Sequence, residues 1–192
     1  MALVRERHPR IPLTLSVSEE LKAWRYEDVS FLDFLEPHVW MTGSRGAFYK
    51  EVGYDMEASS FDWRQVDILA ERAESTYRAD EDRWRRTLRN AITNVAEWSR
   101  ARALPLITTE CWAIVNWKDR DDLPWEWVRE LCEFGVRTAI EQERWIGIAT
   151  SNFCGPQFTG IPAARSMPAD VSSRARPASR LPAPTLHRSG RE

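Results

Sequence analysis

The chain has 192 residues, with 27 Lys+Arg against 29 Asp+Glu, and is 43% hydrophobic, 29% charged and 11% aromatic. That composition fits a globular domain and excludes disordered and fibrous classes. No apolar run reaches the ~18–20 residues that span a bilayer, and a net charge of −2 argues against nucleic-acid binding, which usually needs a basic face.

Met1 to His8 carries charges where a secretory leader has its apolar stretch. Cys111, Cys132 and Cys154 are an odd set without paired spacing, which argues against a disulfide framework or a zinc knuckle. Both features point to a reducing, cytoplasmic setting. Ile11 to Val17 alternates large apolar and smaller residues after a proline and reads as a strand. Ser18 then caps a short helix through Trp24, with Glu19 and Glu20 in its first turn. Phe31 to Trp40 holds a second strand, whose interior Pro37 predicts an irregular C-terminal end.

Residues 41–62 read as a long loop with three glycines and several aromatics, a common place for function. Trp63 to Ala103 is helical. Trp84, Leu88, Ile92, Val95 and Trp98 fall on one face, and Glu and Arg fill the solvated remainder. Leu104 to Glu110 is a third strand that ends on a carboxylate. Asp122-Leu123-Pro124 opens a further helix, buried along Val128, Leu131, Cys132, Val136, Ala139 and Ile140. Trp145 to Thr150 is the fourth strand, and Ser151-Asn152 follows it.

Residues 161–192 differ in kind. They hold 5 of the 11 prolines and no Phe, Tyr or Trp, and all ten tryptophans precede residue 146. Such a segment buries too little surface to offset its ordering entropy, so a disordered tail is expected. Two origins stay open: an ordinary flexible terminus, or a shifted reading frame after Gly160. The expected domain organisation is an α/β domain over 1–160 and the tail over 161–192.

Strands alternating with helices imply βα units and a parallel sheet. In such a sheet the C-terminal strand ends form the ligand face. Glu110 closes one strand there, ahead of Trp112 and Trp117. His38 and Trp40 close another, and Ser151 and Asn152 the fourth. Tryptophan faces stack on the C–H faces of sugars, and polar groups meet the hydroxyls. Trp40, Trp112 and Trp117 are therefore the candidate stacking residues, whereas Trp84 and Trp98 read as helix packing.

The Thr108-Thr109-Glu110-Cys111-Trp112 segment resembles the end of strand seven in clan A retaining (β/α)8 glycoside hydrolases. It is more specifically similar to the sugar-binding cellulase-like family. The resemblance implies that residues 1–160 are the C-terminal half of a (β/α)8 TIM barrel, strands five to eight. It implies Glu110 as the nucleophile, with His38 and Trp40 at the end of strand six. Trp112, Trp117 and Asn152 would line sugar subsites. The partner implied is a carbohydrate, with no metal or organic cofactor.

The family's acid/base is a Glu in an Asn-Glu pair at the end of strand four. No Asn-Glu dipeptide occurs in this chain. The chain alone is therefore expected to be inactive, and to self-associate through open sheet edges. Two rival readings remain: a non-catalytic carbohydrate-binding protein, and a flavodoxin-like ligand-binding domain. The second is disfavoured because no Gly-rich phosphate loop follows a strand.

Overall fold

The structure is a computed structural model, and it describes residues 2–18, 24–43, 46–57, 62–114 and 126–149. The expected tail over 161–192, the helix start at Asp122 and the cap at Ser18-Glu19 lie wholly or partly outside those residues. The elements in chain order are α1 (Ala2–Arg7), β1 (Ser16–Val17), β2 (Glu36–Pro37), β3 (Val39–Trp40), α2 (Ala47–Val52), α3 (Trp63–Ala79), α4 (Glu81–Arg102), β4 (Leu106–Thr108), β5 (Cys111–Trp112), α5 (Glu126–Glu141) and β6 (Trp145–Ile148). Alternating strands and helices make this an α/β fold.

Among the described residues all the strand pairs are parallel: β1 with β2, β3 with β5, and β4 with β6. A parallel bridge from Leu35 to Leu106 joins β2 to β4. Leu35 donates its N–H to Pro105 O at 2.9 Å, and Ile107 donates back to Leu35 O at 2.9 Å. Residues 35–40 and 106–112 thus act as two irregular strands side by side. The spatial order follows the sequence order, with the second strand between the first and third. A flavodoxin-like sheet instead places its second strand at the edge, in the order 2-1-3-4-5. The strand order therefore overturns the flavodoxin-like reading.

Pro37 interrupts its strand as its chemistry requires, because it has no N–H for the ladder. Up to and including it, Glu36–Pro37 pairs with β1; beyond His38, Val39–Trp40 pairs with β5. His38 lies between them, and its backbone N–H donates to Val17 O at 2.8 Å. The irregular end read from the proline is present.

The helices depart from the sequence reading in two places. The stretch read as loop, 41–62, contains α2, with Phe48, Tyr49 and Val52 buried. Gly46 and Gly53 bound it in the left-handed region, at φ 64° and 86°. Such helix ends are favoured by glycine, which explains how a glycine-rich stretch still holds a helix. The long helical region also breaks at Asp80, whose carboxylate accepts the Arg83 N–H at 3.2 Å and caps α4. On α4, Trp84, Leu88, Ile92, Val95 and Trp98 are all buried, as their spacing requires.

The core continues from the sheet into the helices. Phe48 meets the Trp84 ring edge-on at 5.0 Å, and Tyr77 stacks on Trp127 at 5.3 Å. Arg78 of α3 binds Glu130 of α5 through two hydrogen bonds of 2.7 and 2.9 Å, tying the two helices together. No described helix is long and apolar enough to cross a membrane.

Candidate functional site

The site lies where the second and third strands end. Alternation along a strand places residues i and i+2 on one face. Glu36 and His38 obey that spacing, and Glu110 stands on the neighbouring strand. Its backbone carbonyl accepts the Val39 N–H at 3.1 Å, which fixes the register between the two strand ends.

His38 stands between two carboxylates. Its Nδ1 is 3.5 Å from Glu110 Oε2, and its Nε2 is 3.5 Å from Glu36 Oε2. Both separations are longer than a well-formed hydrogen bond. The two carboxylates differ in environment. The Glu110 side chain is 52% exposed, so it can meet a ligand. Glu36 is only 4% exposed. Its Oε1 accepts the Thr109 N–H at 3.1 Å and the Thr109 hydroxyl at 2.6 Å. Its Oε2 is buried and has no hydrogen bond among the described residues.

The structure brings Glu110 and His38, both named from the sequence, to 3.5 Å, and adds Glu36 and Thr109, which the sequence reading overlooked. A signal was present: a Glu two residues before a His on one strand shares its face. Trp40, on the same strand, is partly buried and lies opposite Trp112 in the register. Trp117 and Asn152 lie outside the described residues.

Trp112 takes a different part from the one its sequence position suggested. It is 0% exposed. Its ring lies against Gly135 of α5, where a Cβ would come within 2.5 Å of Trp112 Cγ, and edge-on to Trp145 at 6.1 Å. No ring face is open to a sugar, so here Trp112 is a core residue rather than a stacking platform. The chain bends at Thr109–Glu110 between β4 and β5, and beyond that bend the Trp112 ring packs against helix α5.

Cys154 lies outside the described residues. Cys111 and Cys132 are both buried, and burial pushes the Cys132 thiol up to about 12. A thiol held protonated is a poor nucleophile. Among the described residues no group of three or more His, Cys, Asp or Glu side chains could hold a metal ion.

Three comparisons bear on this site. A family model described as sugar-binding cellulase-like matches residues 1–172. A search of curated proteins returns no significant match. The crystal structure of a proposed glycoside hydrolase from Parabacteroides distasonis ATCC 8503 is similar, with a TM-score of 0.74 and 39% identity. The similarity covers 83% of this chain and 42% of that one, so the chain spans less than half the length of this relative. The order of the parallel strands, the carboxylate at a strand end and the family match agree: the chain is glycoside hydrolase-like and belongs to the sugar-binding cellulase-like family.

Proposed function

We propose that the chain is the C-terminal half of a (β/α)8 glycoside hydrolase, strands five to eight, and carries the nucleophile of a retaining mechanism. Glu110 is that nucleophile, and His38 orients it. The observation that carries the reading is Glu110 itself: a half-exposed carboxylate in the bend between the parallel segments β4 and β5, facing an imidazole at 3.5 Å. The sequential strand order supports a barrel half, because strands of a (β/α)8 barrel pair in chain order.

In that mechanism Glu110 attacks the anomeric carbon and forms a covalent glycosyl intermediate. A second carboxyl group, ~5–5.5 Å away, protonates the leaving oxygen and later activates water. Glu36 does not serve as this group. It is buried, one oxygen is held by Thr109, and the His38 ring lies between it and Glu110. The acid/base therefore comes from the other half of the barrel, and the isolated chain is inactive. Trp40, Trp117 and Asn152 remain the residues proposed to contact the sugar.

The test completes the barrel with the remaining part of the Parabacteroides distasonis relative and adds a panel of 2-fluoro glycosyl fluorides. These trap a retaining nucleophile as a stable ester. Peptide mapping should find the adduct on Glu110. Turnover of aryl glycosides with the adduct on another carboxylate would overturn the assignment.

A second reading is favoured by one observation: no second carboxylate is exposed beside Glu110 among the described strand ends. On that reading the family site binds glycan without hydrolysing it. Glycan binding by the completed barrel, with neither turnover nor adduct, would establish it.

A further inference from the structure

The buried carboxylate of Glu36 has no role in the mechanism above, yet its placement is costly. A buried carboxylate oxygen without a hydrogen bond is strongly disfavoured, since its desolvation is not compensated. Oε1 is satisfied twice by Thr109. Oε2 makes no hydrogen bond among the described residues and lies 3.5 Å from the Nε2 atom of His38. From this geometry we infer that Glu36 is a positioning residue: it sets the tautomer of His38 and thereby what His38 presents to Glu110.

A neutral imidazole has one N–H and one lone pair, and each of its nitrogens here faces a carboxylate. The two claims on the proton are unequal. Glu110 is half exposed and can turn to water, whereas Glu36 Oε2 is shut away from it. The proton therefore sits on Nε2, toward Glu36. Nδ1 then offers its lone pair to Glu110. The Thr109–Glu36–His38 contacts thereby fix which ring nitrogen carries the hydrogen. The catalytic meaning of that choice rests on the reading of Glu110 as nucleophile; the tautomer itself does not.

The experiment is a long-range 1H–15N NMR spectrum of the full 192-residue chain, at a pH where the imidazole is neutral. The ring nitrogen shifts report directly which nitrogen carries hydrogen. His38→Asn identifies the His38 signals among the three histidines. The wild-type protein should show the Nε2–H tautomer. Glu110→Ala, which removes an exposed side chain, should leave it unchanged.

Glu36→Gln should reverse it. Both Thr109 donors hold the amide oxygen at the Oε1 position, so the NH2 group faces Nε2 and requires a lone pair there, moving the proton to Nδ1. An Nδ1–H tautomer in the wild type overturns the inference, as does a switch caused by Glu110→Ala or an unchanged ring in a folded Glu36→Gln. Should Glu36→Gln fail to fold, the wild-type and Glu110→Ala spectra decide. No glycan enters these measurements, so a failed adduct on Glu110 and a failed tautomer are separate outcomes.

Discussion

Thr109 lies 73 residues beyond Glu36 in the chain, yet donates both its backbone N–H and its hydroxyl to one oxygen of that carboxylate, at 3.1 and 2.6 Å. The contact crosses between two parallel strand ends. It sits one residue before Glu110 and two before His38 on the facing strand, so it locks the two halves of the candidate site into a single register.

Glu110→Gln tests the chemistry. In a completed barrel it should lower kcat by several orders of magnitude while leaving the circular dichroism spectrum unchanged, since the side chain is exposed. Survival of turnover within about tenfold, equivalent to ~1.4 kcal/mol of barrier, would remove Glu110 from the nucleophile's role.

Trp112 and Gly135 test the core. Trp112→Ala should cost about 3–5 kcal/mol, as for other large buried aromatics. That is a large share of the ~5–15 kcal/mol that holds a typical domain together. Gly135→Ala inserts a methyl group against the Trp112 ring and should cost about 1–3 kcal/mol through overpacking. Urea unfolding monitored by tryptophan fluorescence measures both. A Trp112→Ala protein of unchanged stability and weakened sugar affinity would restore the stacking reading.

The Arg78–Glu130 pair predicts a pH signature. The Arg78 guanidinium beside Glu130 holds that carboxyl below its usual value of 4.5. A depressed carboxyl stabilises the fold fully above the unfolded-state value and loses that contribution as pH falls through the lower folded-state value. The pair is about one-third exposed, so solvent screens it and the effect is modest. The Tm difference between wild type and Glu130→Gln should be constant at neutral pH and narrow below about pH 4.5. A gap that widens on acidification would contradict the assignment.

The sheet edges predict association. Among the described residues β1 pairs only with β2, and β6 only with β4. Ile146 on β6 is 50% exposed, an unusual place for a large aliphatic side chain. Unpaired edges beside apolar surface recruit other chains. Light scattering should show the isolated chain to be dimeric or larger, and Ile146→Lys should shift it toward monomer. A wild-type monomer at high concentration would count against the open-edge proposal.

The sequence by itself determined the alternation of strands and helices, the buried face of α4, the irregular strand at Pro37, and the place of Glu110 and His38 at strand ends. Each follows from local chemistry: a repeat of 3.6 or 2 residues, a missing N–H, or a carboxylate closing an apolar run. Tertiary structure decided the rest. The helix of residues 47–52 stayed hidden because its bounding glycines look like loop in a linear reading. Trp112 became a core residue because Gly135, on a helix that follows it, leaves room for its ring. Glu36 gained its place only because Thr109 on another strand satisfies one oxygen and leaves the other facing His38. Periodicity tells which face a residue occupies, but the partner on that face depends on the register between distant strands, and no local signal carries that register.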